Sequence, residues 1–322
     1  MSRVILHIGA GKTGTSYLQS CLSLNEEQLL AYGIYYPRSP KHDLAIRGGI
    51  TGGNGQVIAA SLNPRIFQNH SRSALGEPLD VALERSNGRD ILYSAESMQF
   101  FEEEKMFELR SYLHGRNYSL EIVLYIRNMT DMLYSTYNQS VKRSGMTKSF
   151  GDFIRSHRPI FVQTLRRLES SVGRDSVSVR NYDIVRGDLL RDFCKCIGID
   201  GLSQSPSGAI VNRSLDVDEI EIVVELNRLL KDAAHGSVIS DAILYGNPDI
   251  AARKKISTDD VRYISERYLD DAEYVNSFLA PGEGIGLGVE SGEPFDFGLS
   301  VKEKAIISLI GLLLKRQFGV TR

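Results

Sequence analysis

The sequence predicts an α/β chain: a parallel central sheet flanked by helices, with a helical C-terminal part. Three observations predict it. Apolar runs of strand length alternate with stretches of helical periodicity through the first two-thirds of the chain. The first three clear runs, VILHI, DILYS and EIVLYI, are apolar through most of their length, the pattern of strands covered on both faces. Beyond Gly201 the periodicity is helical.

Taken in order, the first strand is 4–8. The loop GAGKTGT separates it from a helix over 16–31, with Leu18, Cys21, Leu22, Leu29 and Leu30 apolar. A short second strand fits 32–37. Residues 38–78 read as irregular, with Gly48, Gly49, Gly52, Gly53 and Gly55 close together. So long a stretch without regular structure is usually functional or mobile. A strand at 90–94 precedes the loop AESM and a helix near 102–113. The strand 121–126 leads into a helix that ends at Gly145, a C-cap residue. Helices near 150–156 and 161–171, a strand at 176–181 and a helix at 189–197 follow. The later helices are about 217–234, 258–268, 272–279 and 301–318, and 281–298, with its glycines and prolines, is a loop. No linker separates the parts. We expect one domain over 1–322, with an α/β core to about 215 and a helical extension over about 216–322.

Composition bounds the function. Hydrophobic residues at 42% and charged residues at 24% exclude a disordered or fibrous chain. A net charge of −2 excludes a global basic field for nucleic acid or an anionic membrane. The apolar start is too short for a signal peptide, and no run of about 20 apolar residues occurs. The segment AIISLIGLLL reads as a buried helix. Cys194 and Cys196 point to different faces of one helix and Cys21 is isolated, so all three read as reduced thiols, not metal ligands. We expect a cytoplasmic protein.

The chemistry concentrates in HIGAGKTGTSY, between the first strand and first helix. Parallel sheets place ligand sites at the carboxyl ends of strands. Glycines let backbone approach an anion, and N–H groups at a helix start point at it. Gly11 and Gly14 supply the first, Lys12 adds a full charge, and Thr13, Thr15 and Ser16 add hydroxyl donors. A tight strand-to-helix turn needs glycine alone; the density of donors favours phosphate. The Walker A spacing is not met: its first glycine would fall at Leu6. No later strand ends in the aspartate that holds Mg²⁺ in ATP and GTP enzymes.

The loop resembles that of the sulfotransferases, whose 5′-phosphosulfate loop reads roughly P-K-S-G-T-T-W in the cytosolic branch and H-K-T-G-T-T in bacterial and carbohydrate branches. Here it reads GKTGTSY. The family's second motif, an arginine ending a strand and a serine eight residues on, is matched by Arg127 and Ser135 in RNMTDMLYS. The physics agrees: a guanidinium fork suits phosphate, and a serine two turns along a helix reaches the same face. SVSVRNYD followed by GDLLRDFCKCIGID resembles the family's Y-E-D-L stretch. The resemblance spans about residues 4–215.

The resemblance implies a P-loop NTPase-like sulfotransferase fold. It implies transfer of a sulfuryl group from 3′-phosphoadenosine 5′-phosphosulfate (PAPS) to an acceptor hydroxyl, with 3′,5′-ADP as product and no metal. It assigns the phosphosulfate to Gly11, Lys12, Thr13, Gly14, Thr15 and Ser16, and the 3′-phosphate to Arg127 and Ser135. Tyr17 and Tyr182 fall where aromatic residues lie beside adenine, although two core tyrosines would read the same way. The C-terminal R-K-G segment of the cytosolic branch is not recognisable; Arg213, in NRSL, lies in the corresponding region. Lys12 would stabilise charge on the leaving oxygen. At the position of the cytosolic branch's histidine base stands Glu96, a residue type that other branches use there, flanked by Ser94 and Ser97. A cap on the following helix is the other reading of Glu96, and His7, in the first strand, is its rival as base. The loop form is closer to the bacterial and carbohydrate branch, which implies a saccharide or glycolipid acceptor. Two alternatives stay open: a P-loop small-molecule kinase, and a relative that binds the product nucleotide without turnover.

Overall fold

The computed structural model describes residues 1–67, 76–206, 214–246 and 249–288, together with Glu303, Ile307, Ile310, Gly311 and Leu313. In chain order the elements are β1 (Ser2–Gly9), α1 (Thr15–Leu24), α2 (Glu26–Ala31), β2 (Ile34–Tyr35), α3 (His42–Ile46), α4 (Gln56–Leu62), α5 (Leu79–Ser86), β3 (Asp90–Ala95), α6 (Glu103–His114) and β4 (Tyr118–Ile126). They continue as α7 (Met129–Arg143), α8 (Phe150–Ser156), α9 (Ile160–Val172), β5 (Val177–Asn181), α10 (Tyr182–Val185), α11 (Leu189–Ile197), α12 (Val217–Leu230), α13 (Ala233–Gly246), α14 (Thr258–Arg267) and α15 (Leu269–Asn276).

The five strands form one parallel sheet in the order β2-β3-β1-β4-β5. Every residue from Val4 to Ala10 is buried, which requires cover on both faces and explains the unbroken apolar run. On one face Ile5, Leu92, Val123 and Tyr125 pack against Leu18 and Leu22 of α1 and Leu189, Phe193 and Ile197 of α11. Each such side chain contributes about 1.5–3 kcal/mol by leaving water. The chain leaves β1 towards β3 and β2 and leaves β4 towards β5. The connections therefore diverge between β1 and β4, and a switch of this kind, at the strands' carboxyl ends, is where open parallel sheets place their ligand sites.

Packing divides the chain into two compact units. The first comprises Met1–Arg127, Pro159–Ile210 and Asp271–Ile285 and holds the sheet; the second comprises Asn128–Arg158, Val211–Asp270 and Gly286–Arg322 and is helical where described. In the second unit the buried carboxylate of Asp216 caps α12 in a capping box with Glu219 and pairs with Arg253 at 2.8 Å. No helix among the described residues is long and apolar enough to cross a membrane.

Several expected boundaries move. The helix expected over 16–31 breaks at Asn25, whose side-chain amide donates to the carbonyls of Cys21 and Gln204, both at 2.7 Å. The helix expected over 217–234 ends at Lys231, in the left-handed region at φ 56°, and α13 starts with Asp232 accepting from the Ala234 amide. The described part of 38–78 is not irregular: it holds α3, α4 and a 3-10 turn at Pro64–Phe67, and α5 follows. These are short helices held by tertiary contacts, so they leave little periodic signal. The segment AIISLIGLLL and residues 289–300 lie largely or wholly outside the described residues, as does Arg213.

Candidate functional site

The loop from Gly9 to Gly14 turns tightly at the end of β1. Lys12 adopts φ 68° and Gly14 φ 76°, both left-handed, which is how the chain turns so tightly here. The Thr13 hydroxyl donates to the Ala10 carbonyl at 2.8 Å and closes the loop on itself. Gly14 is the N-cap of α1, and no side chain caps the helix. Its first amides are thus left to other partners, as an anion site requires. A Cβ on Gly14 would lie 2.4 Å from the Leu189 side chain and 3.2 Å from the Tyr182 ring, so this glycine lets the loop seat against α10 and α11.

Glu96 follows β3 directly and opens a 3-10 turn, Glu96–Phe100. That turn's N-cap is Ala95 and that of α6 is Glu102, so Glu96 caps neither. Instead it meets the loop. A Cβ on Gly9 would lie 2.2 Å from Thr15 Oγ1 and 2.8 Å from Glu96 Cγ, which places both side chains over the end of β1. Burial pushes the Glu96 carboxyl up from the ordinary range, while the Lys12 charge and the Thr15 hydroxyl act against that rise. Solvent nonetheless reaches the Glu96 side chain. Thr15 Oγ1 is buried beside it with no hydrogen-bond partner of regular geometry.

The flanking serines do not orient Glu96. Ser94 Oγ lies 2.9 Å from His7 Nδ1 and accepts from Gln19 Nε2 at 3.3 Å, and the buried Ser97 hydroxyl has no partner. His7 is wholly buried against the edges of Tyr125 and Phe193, and burial pushes its pKa down to about 3. It is a neutral core residue; only its Nδ1 is bonded, since Nε2 has no partner.

Arg127 follows β4. Its Nη1 donates to the Lys12 carbonyl at 3.4 Å, and its guanidinium carbon lies 5.6 Å from the Tyr182 ring centroid. Its Nη2 lies 3.3 Å from the carboxylate of Asp183, a residue that sequence reasoning missed. That aspartate lies at the start of α10, where the Asn181 side chain caps the helix by accepting from the Asp183 amide. With Glu96 and Asp183 beside Lys12 and Arg127, the site is a mixed set of charges, not a purely cationic pocket. Gly11 is open on its Cβ side, and Ser16 is half-buried. The Tyr17 ring packs on the core, with its hydroxyl at Cys21 and its pKa pushed up to about 12, chiefly by burial. Ser135 is half-buried on α7, in the second unit. The first unit therefore assembles Lys12, Thr15, Glu96, Arg127 and Tyr182.

No family model and no curated protein sequence matches the chain. Among solved structures it is similar to a sulfotransferase from Alicyclobacillus acidocaldarius, with 17% identity over 76% of this chain and 96% of that one, at a TM-score of 0.39. It is also similar to a sulfotransferase domain from the curacin biosynthetic pathway, with 10% identity over 83% and 98% of the two chains, at a TM-score of 0.36. A third is a retinol dehydratase solved with androsterone and the inactive cofactor PAP, with 13% identity over 84% and 78% of the chains, at a TM-score of 0.33.

Proposed function

We propose that this chain is a PAPS-dependent sulfotransferase. The observation that carries the reading is the meeting of Lys12, Thr15 and Glu96 over the carboxyl end of β1, at a helix start that no side chain caps. The residues fit the nucleotide. The uncapped α1 amides, the Thr15 hydroxyl and Lys12 suit the phosphosulfate, and Arg127 with Tyr182 beside it suits the 3′-phosphate and adenine. The sequence resemblance assigns Tyr17 to adenine as well, and Ser135 and Arg213 to the 3′-phosphate.

PAPS supplies an activated sulfuryl group that passes in line to an acceptor oxygen, with 3′,5′-ADP leaving. Lys12 stabilises the charge that grows on the leaving oxygen. Glu96 accepts the proton that the acceptor hydroxyl loses. Its raised affinity for a proton makes it a stronger base than an unperturbed glutamate, while Lys12 and Thr15 keep its ionised form available. Asp183 holds Arg127 beside the loop and yields one arm of it to phosphate. For the acceptor we propose a saccharide or glycolipid hydroxyl, supported by the form of the loop.

A thermal-shift screen tests the reading. Stabilisation by 3′,5′-ADP without metal supports it. Stabilisation by ATP with Mg²⁺ alone would replace it with a kinase. Labelled PAPS offered to a panel of saccharides then separates an enzyme from a relative that binds the nucleotide without turnover.

A further inference from the structure

Strand β2 ends early, and something else finishes its work. The Asp90 amide donates to the Gly33 carbonyl at 3.1 Å, and the register pairs Ile34 with Asp90 and Tyr35 with Ile91. A parallel ladder bonds alternate residues of one strand, each donating to and accepting from the neighbour. The bonding positions on this side are therefore 33, 35 and 37. Position 37 is a proline, which has no N–H to donate to the Leu92 carbonyl.

The side chain of Asn54 takes that place. Its Nδ2 donates to the Leu92 carbonyl at 3.0 Å and its Oδ1 accepts from the Ser94 amide at 2.8 Å. These are the two bonds a ladder residue at position 37 would have made. The second Nδ2 hydrogen goes to the Pro37 carbonyl at 2.9 Å. The Gly55 amide then donates to the Ser94 carbonyl at 3.1 Å. Asn54 is 2% exposed, so each of these groups would otherwise be buried without a partner. Gly53 makes the approach possible: at φ 80°, a Cβ there would lie 2.0 Å from the Ser94 carbonyl oxygen. Gln19 adds a second tie, reaching Ser94 Oγ and accepting from Thr51 Oγ1 at 3.3 Å.

The last two residues of β3 are thus held on both edges. On one edge His7 pairs with Ser94 and Ile8 with Ala95; on the other stand Asn54 and Gly55. Glu96 is the next residue. We propose that Asn54 is a positioning residue for Glu96: its carboxamide completes the β3 ladder and so fixes the direction in which Glu96 enters the site. The catalytic consequence rests on Glu96 being the proton acceptor, but the placement does not.

Glu96 titration, read by carbon NMR of labelled glutamate carboxyls and assigned with Glu96→Gln, reports the placement without any turnover. The groups facing Glu96 are Lys12 and Thr15. Of the elements packed on its turn, α4 carries no charge, His7 of β1 is neutral, and Arg167 of α9 donates to the Gln99 and Phe101 carbonyls. Asn54→Ala and Asn54→Leu, which remove the donors and the acceptor without adding a charge, should lower the apparent pKa of Glu96 by at least about half a unit, as the carboxyl loses its crowded setting. Affinity for 3′,5′-ADP should stay within about threefold, because Asn54 stands on the β2 edge of β3, away from the β1 and β4 ends that carry the loop and Arg127. An unchanged Glu96 titration in either folded variant overturns the proposal. If neither variant folds, proton exchange decides in the parent protein: the Asn54 side-chain amide should exchange slowly, and exchange at the rate of a free amide overturns it. Failure of the parent to bind 3′,5′-ADP would refute the sulfotransferase reading and leave the titration to judge Asn54 by itself.

Discussion

Gly9→Ala adds one methyl group at the most crowded point of the site. The backbone there is not left-handed, so an alanine is conformationally allowed and the effect is steric. The methyl carbon would sit 2.2 Å from Thr15 Oγ1 and 2.8 Å from Glu96 Cγ. Relief to ordinary contact moves the hydroxyl by about 1 Å and the Glu96 stem by about half that. Overpacking of this kind costs about 1–3 kcal/mol. At roughly 2–4 °C per kcal/mol, thermal denaturation should show a loss of several degrees. A displacement of about 1 Å in a reacting group also lowers turnover by about a hundredfold. Gly11→Ala is the control, since a Cβ there meets nothing within 4 Å. It should leave the melting temperature unchanged and weaken 3′,5′-ADP in calorimetry, because its methyl occupies space an anion would use. Equal melting temperatures for the parent and Gly9→Ala would refute the placement of Thr15 and Glu96 over β1.

Other perturbations probe the same site and its support. Glu96→Gln should fold, bind 3′,5′-ADP and lose about 100-fold or more of any sulfuryl transfer; near-parental turnover removes Glu96 as the base. Lys12→Ala and Arg127→Ala should each weaken 3′,5′-ADP by about tenfold or more in calorimetry, and unchanged affinity in both ends the cofactor assignment. His7 is buried neutral with its pKa at about 3, so between pH 6.5 and 3 the unfolded chain binds a proton that the folded chain refuses. Its contribution to stability is therefore complete above pH 6.5 and is lost as pH falls, on the order of 3 kcal/mol by pH 4. Denaturant unfolding from pH 7 to 4 should show a steep decline that His7→Gln flattens; the same slope in both proteins contradicts a neutral buried His7.

Much of the sheet was legible because buried parallel strands must be apolar along their whole length, and VILHIG, DILYS and EIVLYI carry that burden openly. The loop was legible for a related reason: backbone that approaches an anion needs glycine, and charge beside it needs lysine. The family resemblance carried by the motifs also singled out Glu96, Arg127 and Tyr182 and assigned them with Lys12 to one nucleotide site. Their meeting with Lys12 depends on the order β2-β3-β1-β4-β5, which no local pattern encodes, because strand order is decided by which apolar faces pack together. Asp183 went unseen since its partner, Arg127, lies far away in the chain. Asn54 went unseen among glycines that read as an irregular loop, and its task, standing in for the donor that Pro37 lacks, exists only once the chain has folded β2 against β3. Composition and spacing thus determined which elements form and which groups carry charge. Only tertiary packing decided which of them touch, because a contact between remote residues is a property of the assembled layers.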